Sequence, residues 1–281
     1  MYEILRRQIL GGGTVVVNEL YAPRIAAKAL PGQFLMLRVN ENGERIPLTM
    51  ADVNPEKGTI TILYQIVGKS TALLASLEQG QSIQDVVGPL GTPTPISKVG
   101  TVVCVGGGTG VAVLHPIARG FQQAGNRVIS IIGARNRELL VMEENMEAIS
   151  DELHVCTDDG GYGHKGFVTD LLKQQLETNR IDLAVCIGPI PMMRACCQVT
   201  DGFGVHTLVS LNALMVDGTG MCGCCRVTVD GKVKFACVDG PEFDGHKVDF
   251  EGLNTRLWAY REPEAVSYNE FRGHHKCHNC V

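Results

Sequence analysis

The chain has 281 residues, of which 44% are hydrophobic and 20% charged, and its formal net charge is -5. This composition excludes a disordered chain and a small disulfide-stapled scaffold, and the charge provides no basic surface for nucleic acid. No apolar run reaches the roughly 18 residues that a membrane span requires, and the N-terminus lacks the pattern of a secretory signal. We therefore expect a cytoplasmic protein of about two domains, without nucleic-acid or membrane partners.

Residues 1–99 are predicted to form a small antiparallel β-barrel. Three β-rich runs alternate with turn sequences that are rich in Gly, Pro and Asn. A helix is predicted over 70–77, where Ser70 and Thr71 suit the N-cap. The predicted strands are residues 14–20, 34–39 and 59–67.

From residue 100 the pattern changes to strand-length apolar runs separated by helical segments, which predicts a doubly wound parallel sheet over 100–210. After residue 210 both periodicities disappear. We predict a loop module over 211–260, held together by something other than a hydrophobic core, and a C-terminal tail over 261–281. The predicted strands of the sheet are 101–105, 127–132, 153–156 and 183–187, and the predicted helices are 111–124 and 168–177.

A glycine-rich turn between the first of these strands and its helix is the candidate nucleotide site. Glycines let the backbone approach a pyrophosphate, and the helix N-terminus offers free N–H groups. A tight structural turn is the alternative. Two later strand ends join the candidate site because ligands bind at the carboxyl ends of parallel strands. The candidate residues are Gly107, Gly108, Thr109, Gly110, Arg135, Asp158, Asp159, Gly160, Gly188 and Pro189.

The sequence leaves the choice between NAD and NADP open. The strand over 127–132 is not followed by the acidic residue that often holds the adenosine ribose. Arg135 or Arg137 could meet a 2′-phosphate, and each could equally be a solvated surface residue.

The cysteines divide into two groups. There are eleven, an odd number that favours reduced thiols, metal ligands or catalysis over disulfides. Five lie among apolar segments, where a cysteine is most simply a small buried hydrophobic residue; the other six follow residue 220. The five are Cys104, Cys156, Cys186, Cys196 and Cys197.

The strongest motif has the spacing D-x4-C-x2-C-x11-C, formed by Asp217, Cys222, Cys225 and Cys237. This is the spacing of a plant-type two-iron ferredoxin loop with its first cysteine replaced by aspartate. A predicted hairpin over 227–235 brings the fourth ligand back to the loop. The motif predicts a [2Fe-2S] cluster.

Three alternatives to this ligand set stay open. Cys222 and Cys225 could bind zinc with Cys277 and Cys280, although the two pairs lie far apart along the chain. The first pair could instead be a redox-active C-x-x-C. Cys224 could replace Asp217 as the fourth cluster ligand. The segment 273–281 is expected to be a frayed terminus or a segment that a partner orders.

Taken together, these features resemble the ferredoxin-reductase-like family of electron-transfer flavoprotein subunits, over nearly the whole chain. The segment 45–49 is similar to the family's flavin signature, 63–67 to the strand beside the ribityl chain, and 68–71 to its phosphate loop. The resemblance implies FAD, NAD(H) and a [2Fe-2S] cluster, with cofactor chemistry and no catalytic acid, base or nucleophile. The FAD-binding residues that it implies are Arg45, Pro47, Leu48, Thr49, Tyr64, Gln65, Gly68, Lys69, Ser70 and Thr71.

Asp217 discriminates between branches of this family. The dihydroorotate dehydrogenase branch generally has four cysteines, whereas an aspartate with three cysteines is similar to the branch that bifurcates electrons between NADH, ferredoxin and NADP(H). That resemblance implies a larger partner subunit with a second FAD, further iron–sulfur clusters and the ferredoxin and NADP(H) functions. An electron-transfer subunit for dihydroorotate or sulfide dehydrogenase, and a non-catalytic nucleotide-binding zinc protein, are the alternatives.

Overall fold

The computed structural model describes residues 1–274, and the expected metal candidates Cys277 and Cys280 lie outside that range. The N-terminal part is an antiparallel barrel sheet with strand order β6-β1-β2-β5-β4-β3-β7, as predicted. Its strands are β1 (Tyr2–Leu10), β2 (Val15–Tyr21), β3 (Phe34–Arg38), β4 (Arg45–Asn54), β5 (Thr59–Gln65), β6 (Ser82–Ile83) and β7 (Asp85–Leu90), and its helices are α1 (Pro23–Ala26) and α2 (Lys69–Ala75).

The second sheet has the order β11-β10-β9-β8-β12-β13-β16 and is parallel except for β16, which confirms the predicted doubly wound domain. Alternation of apolar strands with amphipathic helices covers both of its faces. Its strands are β8 (Thr101–Gly107), β9 (Arg127–Ala134), β10 (Glu152–Thr157), β11 (His164–Lys165), β12 (Leu183–Ile187), β13 (Thr207–Ser210) and β16 (Glu242–Asp244), and its helices are α3 (Gly110–Gln123), α4 (Glu143–Ile149), α5 (Val168–Thr178) and α6 (Ile190–Asp201).

The C-terminal module contains the predicted hairpin, formed by β14 (Arg226–Val229) and β15 (Lys232–Phe235). The expectation of a module without a hydrophobic core is wrong. Val227 and Ala236 are buried in the same apolar cluster as Val103 of β8, and β16 pairs with β13 at the edge of the parallel sheet. The sequence pattern did not show this, because the buried positions of the module are few and are separated by glycines and cysteines.

Two helices follow the module. Helix α7 (Phe250–Trp258) buries Phe250 and Leu253, and helix α8 (Arg261–His274) contacts α2 of the barrel. The first part of the segment expected as a tail is therefore helical. Within residues 1–274, no helix is long and apolar enough to cross a membrane.

The barrel and the parallel sheet share a packed boundary. Helix α3 lies against the barrel, where Ala51 of β4 and Leu63 of β5 belong to the same buried cluster as Leu114 and Ile117 of the helix. The linker between the domains is tied to the C-terminal module, because the Thr92 N–H donates to the Gly240 carbonyl at 2.7 Å. The three parts of the chain therefore meet in continuous contact.

A carboxyl group is buried at this junction. Both carboxylate oxygens of Glu242, on β16, are shielded from solvent. A Cβ on Gly32 would lie 2.8 Å from one of them, so the turn before β3 requires glycine there. Burial raises the pKa of Glu242 to about 7, while the neighbouring Thr94 hydroxyl acts in the opposite direction. Burying this carboxylate in its charged form is costly.

We predict that Glu242→Gln stabilises the protein at neutral pH. Because the folded-state pKa lies above the unfolded value of 4.5, the stability conferred by the neutral carboxyl is complete below that value and is lost as the pH rises through 7. The free energy of unfolding should rise by about 3 kcal/mol at pH 7 in the variant. Denaturant melts between pH 4 and 8 measure this difference.

The matched control is Glu56→Gln, an exposed turn residue of the barrel. Its melts should follow the wild type at every pH. A Glu242→Gln variant whose stability runs parallel to the wild type across the same range would contradict a neutral buried carboxyl.

Candidate cofactor-binding site

The candidate nucleotide residues converge on one crevice. Strand β8 stands between β9 and β12, so the chain winds in opposite directions from its two sides. The carboxyl ends of β8 and β12 flank the point where the winding reverses, which is where open α/β sheets bind ligands. Gly107–Gly110 follow β8, and Gly188 with Pro189 follow β12. The structure therefore brings together these predicted residues, which lie far apart along the chain.

Close main-chain packing explains the glycines of this crevice. A Cβ on Gly110 would lie 2.6 Å from the Ile187 carbonyl oxygen, and Gly107 and Gly188 both lie against Met192. Gly108 differs, because its φ of +54° is left-handed and a Cβ there would meet open space. The turn thus exposes backbone at Gly108 beside the N-terminus of the 14-residue helix α3, as an anion site requires. Met192, in the strand end that the sequence pattern also indicated, thus packs against glycines of both strand ends.

The remaining candidate nucleotide residues lie at the ends of β9 and β10. The Asp159 N–H donates to the Arg135 carbonyl at 3.2 Å, so these two strand ends are adjacent. Arg135, Asp158 and Asp159 are exposed. Beside them, the Tyr162 hydroxyl donates to Glu143 at 2.7 Å, an arrangement that the sequence motifs did not indicate.

The candidate flavin strand lies beside an opening in the barrel sheet. Strand β4 pairs with β5 from Asn54 to Met50 and then leaves it to pair with β3 from Thr49 to Arg45. The sheet therefore separates between 45–49 of β4 and 63–65 of β5. These are the two segments that the family resemblance assigned to the flavin.

The predicted flavin residues differ in accessibility. Arg45 is exposed, and its side chain forms no hydrogen bond or ion pair with any residue that the structure describes. Pro47, Leu48 and Thr49 are half-buried along the opening, and Gln65 is exposed. The Tyr64 side chain lies in the barrel core, where its hydroxyl accepts a hydrogen bond from Asn18 at 3.3 Å. The Tyr64 side chain is therefore not available to the opening.

The predicted phosphate loop is already hydrogen-bonded within the protein. The Thr71 hydroxyl accepts bonds from the N–H groups of Val67 and Gly68, at 3.0 and 3.1 Å. The Ser70 hydroxyl donates to Glu44 at 2.7 Å. Thr71 thus stabilises the start of α2, and Glu44, which sequence reasoning missed, connects α2 to the turn before Arg45.

The candidate cluster ligands form two pairs, with three of the ligands on the loop before β14 and Cys237 just after β15. The Asp217 carboxylate accepts a hydrogen bond from the Cys222 N–H at 2.6 Å, and the Sγ atoms of Cys225 and Cys237 lie 3.2 Å apart. Within residues 1–274, no three His, Cys, Asp or Glu side chains surround a single metal-ion position. Two pairs of donors suit two metal ions, and the donor set therefore fits a two-iron cluster.

Backbone N–H groups of the loop point at its anionic donors. They lower the pKa of Asp217, chiefly through the Thr219 N–H at 2.7 Å. The pKa of Cys222 is lowered first by the Cys224 N–H, which favours the thiolate that a metal needs. Burial raises the pKa of Cys237 to about 12. The pKa of Cys224 is raised, chiefly because its thiol hydrogen-bonds to Cys222.

The cluster loop lies directly against the barrel. A Cβ on Gly218 would lie 2.5 Å from Met36 Cγ, and the φ of Gly218 is +75°, so glycine is required on both counts. Met36 on β3 is the cross-strand partner of Pro47 on β4. The loop beside Asp217 is therefore separated from the candidate flavin strand by a single strand.

Comparisons with known proteins agree with this arrangement. Residues 104–198 match the oxidoreductase NAD-binding domain, and residues 212–249 match the iron–sulfur cluster binding domain of dihydroorotate dehydrogenase B. The second match covers all four candidate ligands and supports an iron–sulfur cluster over zinc. The fold and the matched domains define an NAD-dependent iron–sulfur oxidoreductase of the class that also binds FAD.

Full-length similarities identify the family. The chain is 48% identical to a dihydroorotate dehydrogenase B electron transfer subunit homolog from Thermotoga maritima, over 90% of this chain and 89% of the relative. It is 33% identical to the dihydroorotate dehydrogenase B electron transfer subunit of Fusobacterium nucleatum, over 79% of this chain and 87% of the relative. The chain belongs to the ferredoxin-reductase-like family of electron-transfer subunits.

One solved structure is similar over almost the whole fold. It comes from work on flavin-based electron bifurcation by the NADH-dependent reduced ferredoxin-NADP oxidoreductase. The TM-score is 0.92 at 44% identity, covering 96% of this chain and 98% of the other. The resemblance drawn from the sequence motifs is confirmed.

We predict that Asp217→Cys keeps the cluster but changes its EPR signal and its reduction potential. Replacing an oxygen donor by a thiolate changes the charge and covalency of the cluster. Redox titration followed by EPR on the anaerobically purified protein measures both.

Two control variants accompany this measurement. Asp239→Asn alters a nearby carboxylate that accepts a bond from the Phe235 N–H at 2.7 Å, and it should leave the EPR signal unchanged. Cys224→Ser tests the alternative ligand. Asp217 is not a ligand if its replacement leaves the potential unmoved while Cys224→Ser shifts it.

Proposed function

We propose that the chain is an electron-transfer subunit that exchanges electrons with a nicotinamide dinucleotide, NADH in preference, at an FAD in the barrel. Electrons then pass through a [2Fe-2S] cluster held by Asp217, Cys222, Cys225 and Cys237 to a larger partner subunit. The observation that carries the proposal is the convergence of three candidate sites. Helix α3 connects the nucleotide crevice to β4, and β3 alone separates β4 from the cluster loop.

In this proposal the chain's own residues bind the two cofactors and orient them. Arg45 is free to pair with the flavin pyrophosphate, and Gly108 with the start of α3 receives the nucleotide pyrophosphate. A flavin accepts a hydride as two electrons and releases electrons singly, which suits a one-electron cluster. No acid or base on the chain is needed for this step, because the hydride moves directly between the two cofactors.

The partner is proposed to be a larger subunit with a second FAD, iron–sulfur clusters and sites for ferredoxin and NADP(H). Support comes from Asp217 in place of a fourth cysteine and from the structural similarity to the NADH-dependent reduced ferredoxin-NADP oxidoreductase. A dihydroorotate dehydrogenase catalytic subunit is the second candidate, favoured by the 48% identical Thermotoga relative. Both candidates predict a heteromeric complex.

Anaerobic co-purification from the native host distinguishes the two candidates. We expect one FAD and two irons on this chain, together with a larger subunit that contains a second flavin and supports NADH-dependent exchange between ferredoxin and NADP(H). A partner that oxidises dihydroorotate would assign the chain to the second candidate. A colourless protein with bound zinc would overturn both.

Arg45→Ala is predicted to lose FAD, because the variant lacks the fixed cationic group that pairs with the pyrophosphate. The flavin-to-protein ratio should fall at least tenfold after gel filtration, while iron content remains unchanged. Arg45→Lys should retain part of the flavin. Absorbance at the flavin maximum and metal analysis report the two quantities.

Arg24→Ala is the matched control for Arg45→Ala. Arg24 is another exposed barrel arginine, on α1 near the opposite end of β5. This variant should keep its full flavin content. Equal flavin retention in the Arg45 and Arg24 variants would remove Arg45 from the pyrophosphate site.

A further inference from the structure

A buried histidine on α3 contacts the barrel at an irregular point of β4. His115 is only 4% exposed, and its Nδ1 lies 3.1 Å from the Ala51 carbonyl oxygen. Ala51 is an extra residue in the strand, because the pairing with β5 shifts between Met50 and Asp52. The histidine therefore binds the main chain of a β-bulge, a feature that re-aims a strand.

A second contact lies one helical turn further along α3. Arg119 Nη1 donates to Asp52 Oδ1 at 2.7 Å. Residues four apart share one face of a helix, and here they bind two consecutive residues of the bulge. Two directional contacts fix both the position and the rotation of α3 relative to β4. Apolar packing around Ala51 is not directional and would restrain them less.

The histidine is uncharged in this position. A carbonyl oxygen only accepts hydrogen bonds, so Nδ1 must carry a proton and donate it. Burial lowers the pKa of His115 and the charge of Arg119 acts in the same direction, against the Ala51 hydrogen bond and Asp52. The neutral Nδ1–H tautomer meets both requirements.

The two ends of this contact belong to the two candidate cofactor sites. Helix α3 begins at Gly110, beside the nucleotide turn, and five residues later reaches His115. The bulge at Ala51 lies next to Met50, the last residue of β4 that pairs with β5, and the candidate flavin strand over 45–49 adjoins Met50. Hydride transfer depends steeply on the separation of donor and acceptor, and a misplacement of about 1 Å can cost a hundredfold in rate.

We propose that His115 and Arg119 are positioning residues that hold the nucleotide helix and the flavin strand in register for hydride transfer. This inference rests on the proposed function, because it needs FAD and NADH at those sites. A histidine that only fills the core would stabilise the fold, and its replacement by an apolar side chain would leave the transfer step unchanged.

The test compares His115→Leu, His115→Asn and the wild type as full chains loaded with FAD and cluster. Anaerobic stopped-flow at saturating NADH gives the limiting rate of flavin reduction, and its concentration dependence gives the Kd for NADH. We expect His115→Leu to lower the limiting rate at least tenfold, with FAD content and Kd within about twofold of the wild type. His115→Asn, which keeps a donor close to the Nδ1 position, should restore most of the rate.

A second readout does not depend on turnover. Hydrogen–deuterium exchange should show that NAD⁺ binding protects residues 50–52 in the wild type and in His115→Asn but not in His115→Leu. His154→Leu is the control, since His154 lies on β10 next to Glu152 and away from the barrel contact. Its rate and exchange pattern should match the wild type.

The more exposed pair keeps the inference testable if His115→Leu does not fold. Arg119→Gln and Asp52→Asn each remove the 2.7 Å ion pair at a half-exposed position, and each should lower the limiting rate about threefold. An unchanged limiting rate in a folded His115→Leu, or in both pair variants, overturns the inference. If the wild-type protein binds no FAD, the proposed function is contradicted. That outcome is distinct from the results that contradict the positioning role of His115 and Arg119.

Discussion

Strand β4 divides its pairing between β5 and β3, and this division opens the barrel sheet. A strand that stayed beside β5 along its whole length would leave no opening beside the candidate flavin segment 45–49. The pairing ends at Met50, one residue past the bulge at Ala51, and β4 continues beside β3. An extra residue in a strand leaves main-chain groups without ladder partners, and the Ala51 carbonyl is satisfied from outside the barrel, by His115. The opening in the barrel and the contact with the nucleotide domain therefore lie at adjacent points of β4.

The C-terminal module shares its hydrophobic core with the parallel sheet. Cys225 and Cys237 are buried together with residues of the parallel sheet, so the second candidate ligand pair is held by the core. Asp217 and Cys222 lie on the glycine-rich part of the loop, and Cys222 is exposed. The two pairs thus differ in environment. The pair of Cys225 and Cys237 is buried in the core, and the pair of Asp217 and Cys222 is held by backbone N–H groups near the surface.

The sequence predicted well what short-range patterns encode. The strand over 183–187 has the predicted bounds, and the glycine turn and the hairpin lie where their patterns indicated. What could not be predicted depends on contacts between distant residues. The pairing of β16 with β13 and the carboxyl of Glu242 facing Gly32 follow from how three units meet. Tyr64 shows the same limit, because the alternation of β5 does not reveal that its hydroxyl meets Asn18 inside the barrel.

Asp217 is more than a substitute for a cysteine in this loop. Its two oxygens accept bonds from the N–H groups of Thr219 and Cys222, and these bonds shape the turn around Gly218 and Gly220. A carboxylate has about four lone-pair sites, so it can bind an iron and keep such bonds. A thiolate has one sulfur atom and weaker acceptor capacity. As the proposed ligand, the aspartate would therefore combine iron binding with hydrogen bonds that shape the loop.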